Sequence, residues 1–148
     1  MKALIYLIST FLLGLTVLTG QQPTAFQQQL YQDPALIARS DIGSFSSPVM
    51  ERSTDPQGAS LETVLLNLNG STTLLDRTLD KPSSLELRYD LEVEEGNGKL
   101  VTIDANNQVT VLREGSGSGT LSLQLPQGRV RVKAVGLDCD LSLSLEVA

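Results

Sequence analysis

Three cationic side chains, Arg129, Arg131 and Lys133, recur at every second residue late in the chain. On an extended strand that spacing puts all three on one face. Such a face suits an anionic polymer or a lipid headgroup, and these three are the candidate ligand-binding residues. The competing reading pairs them across strands with the acidic residues Glu86, Asp90, Glu92 and Glu94. Other oxygen-bearing side chains gather at turns. Glu94 and Glu95 precede Gly96-Asn97-Gly98, Asp104 stands with Asn106 and Asn107, and Asp138 with Asp140. A calcium ion takes about six to eight oxygens from such groups. None of these clusters has the spacing of a carboxylate calcium loop, and Asn and Asp favour turns by bonding their own backbone. No metal ligand is assigned.

Gly115-Ser116-Gly117-Ser118-Gly119 has the composition of a phosphate cradle. A cradle of that kind opens onto a helix N-terminus. An alternating run, Thr120 to Leu125, follows instead, so an inter-strand loop is expected. Cys139 lies between Asp138 and Asp140, whose charges raise a thiol's pKa and lower its reactivity. It is expected to be a partly buried small residue, with a covalent dimer as the alternative. Asn69-Gly70-Ser71 is a glycosylation acceptor sequence, and Asn-Gly is also the strongest short hairpin signal. The hairpin is the preferred reading.

Composition removes most catalytic chemistry. The 148 residues include no His, no Trp and one Cys. Without His there is no Ser–His or Cys–His pair and no usual zinc ligand. One Cys allows no internal disulfide and no multi-Cys metal cluster. The acids sit in alternating runs and turns, where carboxylates normally meet water, so no general acid–base pair is assigned. No catalytic residue and no cofactor is expected, and the chain reads as a non-enzyme. A net charge of −6 argues against a nucleic-acid partner, which calls for a basic footprint. Glycan binding through stacked aromatics has little to work with, because Tyr89 alone falls in the alternating region, on its apolar side.

Residues 1–20 read as a secretory signal peptide. Lys2 forms a positive start, an apolar stretch runs to Leu18, and Thr19-Gly20 are small. The alternative is an uncleaved anchor, but residues 3–18 give about 24 Å of helix, short of a hydrocarbon core of about 30 Å. Leu18-Thr19-Gly20-Gln21 resembles a lipobox with Gln where the lipidated Cys would stand, so lipid anchoring should fail. Removing this segment takes away Lys2 and leaves 17 acids against 10 bases, a charge of −7.

Residues 21–60 are expected to be a Gln/Ser/Pro-rich linker. Phe26, Leu30 and Tyr31 have the spacing of one short amphipathic helix, which Pro34 would end near Gln32 or Asp33. A second short turn fits residues 35–38. This stretch is read as a spacer, or else as a helix that docks on the domain or a partner. From residue 61 the hydrophobic period becomes two. Leu85, Leu87, Tyr89, Leu91 and Val93 alternate with charged residues, and Leu141, Leu143, Leu145 and Val147 alternate with Ser and Glu. The pattern predicts eight strands at about 62–68, 72–77, 84–94, 99–104, 108–113, 119–125, 129–135 and 140–147. Hairpins are expected at Asn69-Gly70, at residues 105–108 and at Pro126-Gln127-Gly128, with a turn at residues 95–98. The fold class is all-β, an antiparallel sandwich of about seven to eight strands over residues 61–148, with a flattened barrel as the alternative.

The order of strand, glycine–serine loop, strand, proline–glycine turn, basic strand and closing strand across residues 84–148 resembles small extracellular β-sandwich domains of uncharacterised bacterial lipoproteins and secreted proteins. The resemblance implies an extracytoplasmic, bacterial setting and carries no activity or catalytic residue. Here Leu and Val replace the aromatics expected on inner strands. The expected function is an exported surface adaptor or protein-interaction module, its polar Ser-rich faces meeting another protein. The alternative is a module for a cell-wall glycan or other anionic polymer, using Arg129, Arg131 and Lys133. Membrane contact would come only through residues 1–20 if uncleaved.

Overall fold

A computed structural model describes residues 22–39, 41 and 45–148. The expected signal segment and Gln21 lie outside the described residues. Among the described residues are two short helices, α1 (Ala25–Gln32) and α2 (Pro34–Ile37), and seven strands. The strands are β1 (Phe45–Ser46), β2 (Val49–Thr54), β3 (Ser60–Leu79), β4 (Ser83–Ile103), β5 (Val109–Glu114), β6 (Gly117–Leu125) and β7 (Gly128–Val147). Every pairing is antiparallel.

Three of these strands hold 20 or 21 residues. At roughly 3.3 Å per residue such a strand would stretch about 66 Å if straight. A domain of this size has a radius of gyration of only about 13 Å, so the strands must bend. Each does so once, at nearly the same level, and the one sheet folds into two layers. The first layer runs β2, residues 60–66 of β3, residues 140–147 of β7, residues 83–94 of β4, then β6. The second runs β1, residues 70–79 of β3, residues 128–136 of β7, residues 97–103 of β4, then β5. This strand order is that of a jelly-roll sandwich.

The eight expected strands are the eight limbs of this sandwich, while β1 and β2 come from the run whose composition reads as linker. The expected hairpins and turn need correction. Asn69-Gly70 and residues 95–98 do not reverse the chain; they are the bends inside β3 and β4. Pro126-Gln127 and the Gly115-Ser116 loop carry the chain from one layer to the other, because β6 pairs with β4 and not with β5 or β7. Residues 105–108 do form the expected hairpin, joining Ile103 to its partner Val109.

The bends rely on unusual backbone. Asn67, Asp138, Gly70 and Gly96 all have positive φ. The Asn69 amide oxygen accepts from the Asp138 N–H at 2.8 Å, and Asp140 accepts from the Asn67 N–H at 2.8 Å. Side chains therefore complete the backbone bonds that the bulges interrupt. Ser116 does the same at the layer crossing, where its hydroxyl accepts from the Val93 N–H at 2.8 Å.

Between the layers Leu61, Leu65, Leu87, Leu91 and Leu141 of the first meet Leu74, Leu100, Val132 and Ala134 of the second. Tyr89 is the aromatic of this core, 4 % exposed, on the inward side as its alternation implies. A second cluster lies on the outer face of the second layer. There α1 and α2 lay Leu30, Tyr31, Leu36 and Ile37 over Val101, Ile103 and Val135. Thr24 starts α1 with a capping box to Gln27, and α1 ends at Gln32 before Pro34, as expected. The buried face of α1 is Gln27, Leu30 and Tyr31; Phe26, expected to belong to it, is exposed.

A Cβ at Gly96 would stand 2.1 Å from the Asp138 carbonyl oxygen, whereas Gly115, of similar φ, has nothing within 4 Å. Gly115→Ala is expected to cost about 1–2 kcal/mol, the backbone penalty alone. Gly96→Ala is expected to exceed it by at least about 2 kcal/mol, because backbone must also move. Urea unfolding of both variants checks this; equal losses would show that the bend is not tightly packed.

Candidate functional site

The second layer puts Arg129, Arg131 and Lys133 on its outer face, as alternation requires, but it does not leave them as one exposed stripe. Lys133 is fully buried. Its ammonium donates to the carbonyls of Ile37 at 2.8 Å and Arg39 at 2.6 Å, and pairs with Asp41 at 2.8 Å. The end of α2 thus delivers unpaired carbonyls onto a buried cation, which satisfies both. Lys99 acts likewise at the end of α1: it donates to the Tyr31 carbonyl and lies 4.4 Å from the centre of the Tyr31 ring. Burial lowers the pKa of both lysines. Burial also pushes the Tyr31 hydroxyl up to about 12, helped by Glu114.

Arg129 is exposed and grips Asp76 with two bonds, of 2.9 and 2.6 Å. That bidentate pair holds the Asp76 carboxyl below its ordinary range. The expected pairing with Glu86, Asp90, Glu92 and Glu94 is overturned, because those residues belong to the other layer. Arg131 stands directly opposite Asp76 in register, yet Asp76 is already taken by Arg129. Arg131 is 7 % exposed, and among the described residues its guanidinium makes one hydrogen bond, of 3.4 Å, to the Asn107 side-chain oxygen. Arg129 and Arg131 line a pocket of about 440 Å³ with Asp41, Asp76 and Asn107. Asn107 has φ +60° at the β4–β5 turn, and its contact with Arg131 is invisible in the sequence spacing.

The first layer leaves its outer face open. A groove of about 520 Å³ runs across it, with Val64, Ser142 and Ser144 along its floor. Glu51, Glu62, Asp90 and Glu92 surround the floor, with Arg52 at one side. None of the four carboxylates has an ion pair among the described residues. Val49 and Leu66, cross-strand neighbours on the same face, are 41 % and 37 % exposed. Sequence reasoning had half of this surface. Asp90, Glu92, Ser142 and Ser144 fall on alternating solvent positions, but Glu51 and Ser53 lie in the run that reads as linker. The alternation of Val49, Glu51 and Ser53 was the available signal, masked by neighbouring Pro and Ser.

Other sequence candidates resolve into structural roles. Asp104 accepts from the backbone N–H groups of Asn106 and Gln108, an Asx turn. Cys139 is fully buried, and burial first, then Asp140, pushes its thiol up to about 12. No helix among the described residues is long and apolar enough to cross a membrane.

No protein-family model matches the sequence, and no curated protein matches it. The solved structures it is similar to include a periplasmic inhibitor of g-type lysozyme from Aeromonas hydrophila, at 14 % identity and TM-score 0.38, covering 65 % of this chain and 93 % of that one. A carbohydrate-binding module solved with β-1,4-galactotriose has 11 % identity and TM-score 0.38, covering 70 % and 86 %. Bacillus endospore appendages match at 9 % identity and TM-score 0.41, covering 70 % and 85 %. At these values the likeness reaches no residue of either surface.

Lys133→Ala is expected to leave the Ile37 and Arg39 carbonyls without their donor and the Asp41 carboxylate without its cation, at a cost of about 3 kcal/mol or more. Limited proteolysis should then cut within residues 22–41 before the sandwich; unchanged protection there would rule out the anchor. A pH effect follows from Asp41. Burial alone would raise its carboxyl, but bonds from Lys133 and Thr73 outweigh burial and hold it below 3.8. The unfolded chain therefore takes up this proton first as pH falls below about 4, and stability drops until the folded form is protonated too. Melting between about pH 5 and 2 should show this loss, and Asp41→Asn should flatten it.

Proposed function

We propose that the chain is an exported, non-enzymatic binding module of the bacterial cell envelope, and that the outer face of its first layer docks a basic segment of a partner protein. The single observation that carries the reading is the open groove ringed by the unpaired Glu51, Glu62, Asp90 and Glu92. Two features support it. The floor is short and neutral, Ser142, Ser144 and Val64, so an extended segment can approach the sheet. Val49 and Leu66 add exposed apolar area at one end, and partner surfaces commonly combine apolar anchors with a polar surround. Export rests on residues 1–20 as a signal segment. The Arg129–Arg131–Lys133 alternative does not act as a polymer track here, since Lys133 is occupied inside the fold.

The test is titration of the full chain with a synthetic peptide alternating Lys and Ser, against the same peptide with Glu for Lys. The Lys peptide is expected to bind, more weakly as salt rises, and the Glu peptide not at all. The charge-reversed pair Asp90→Lys with Glu92→Lys should weaken binding at least tenfold with little change in melting temperature, since both side chains are exposed. Equal binding of both peptides, or none by either, would sink the reading.

A further inference from the structure

The second layer holds a site of a different kind, independent of the acidic groove. A guanidinium carries five N–H donors. Arg131 is nine-tenths buried and spends them on one long contact, to Asn107. None of its nitrogens is both sealed from water and without a partner, so the unspent donors open onto the pocket. The pocket they line, about 440 Å³, falls within the range of small-molecule sites, about 300–1,000 Å³. Its charges nearly cancel in pairs. Arg129 holds Asp76, and Lys133, behind the lining, holds Asp41, so Arg131 is the lining cation without an ion pair among the described residues.

We propose that this pocket binds an acidic saccharide, a sugar bearing one carboxylate, with the carboxylate on Arg131. A monoanion restores neutrality, and the planar fork of Arg131 matches a carboxylate with two parallel bonds. A dianion such as phosphate would leave excess negative charge between Asp41 and Asp76. The remaining lone pairs of Asp76, and the Asn107 amide once displaced from Arg131, suit sugar hydroxyls beside the carboxylate. Recognition therefore needs both halves of the ligand, the anion for Arg131 and the hydroxyls for the oxygens around it.

The experiment is an NMR titration of the full chain with glucuronate, glucose and inorganic phosphate in turn. Glucuronate is expected to shift the Asn107 and Arg131 amides to saturation with a Kd on the order of 1 mM. Glucose should give no saturable shift there, and phosphate should bind at least tenfold more weakly than glucuronate. Arg131→Gln should weaken glucuronate at least tenfold. Asn107→Asp is the second variant, because it needs no core change: Asp tolerates the same positive φ and would place its own carboxylate on Arg131. It should keep the melting temperature and also lose at least tenfold in affinity. No saturable shift with glucuronate, equal binding of glucose, tighter binding of phosphate, or undiminished affinity in Asn107→Asp would each overturn the proposal.

Discussion

The whole architecture hangs on one geometric demand, that three strands of about 20 residues leave one layer and enter the other at a common level. Straight, they would outrun any core this chain could build. Bent at one level, they make a single sheet into a two-layer sandwich without spending residues on three separate turns. The bend consumes the features that look most like turns, Asn67, Asn69-Gly70, Gly96 and Asp138. It also explains why Asn69, Gly98, Gly136 and Cys139 are buried: the layers converge there, and only small or backbone-bonding side chains fit. The leucine-rich core then follows from facing inner sides, with Tyr89 buried in it and Phe45 packed against its edge.

The two outer faces of the sandwich differ because one is covered. Residues from the start of the described chain lay two short helices across the second layer, and the helix ends bring carbonyls that the sheet must satisfy. Lys99 and Lys133 do so from beneath. A face that alternation would give to solvent becomes an interior, and of its cations only Arg129 remains exposed. Arg131, at the margin of the covered area, ends with its charge enclosed and its natural partner Asp76 already engaged. The first layer has no such cover, so Glu51, Glu62, Asp90 and Glu92 stay at the surface without an ion pair among the described residues. Division of labour between the faces is thus a consequence of where one helical segment docks.

Legibility in the sequence follows the range of the interactions. The alternation of Leu85 to Val93 and of Leu141 to Val147 is local, and both the strands and their inward sides could be read from it. The capping of α1 and its end before Pro34 are equally local. The partners of Lys133 were not legible, because Ile37, Arg39 and Asp41 lie more than ninety residues away in the chain. Phe26 was assigned to the buried face by spacing, but spacing cannot choose between Phe26 and Gln27 when both lie near the edge of that face. Residues 45–54 hold three Ser and one Pro inside a Ser- and Pro-rich run, yet they pair because residues 61–70 offer a free edge with hydrogen-bonding groups to fill.

By itself the sequence determined the period of the strands from residue 60 on, the side of each that would be apolar, and the absence of the residue types that catalysis and metal clusters most use. Those properties belong to residues and their immediate neighbours. Tertiary structure alone decided which glycines and asparagines reverse the chain and which merely bend it, since both need the same positive φ. It also decided which cations were free. An alternating Arg and Lys pattern specifies a face, but whether that face meets water, a helix or a carboxylate depends on contacts made across the full length of the chain.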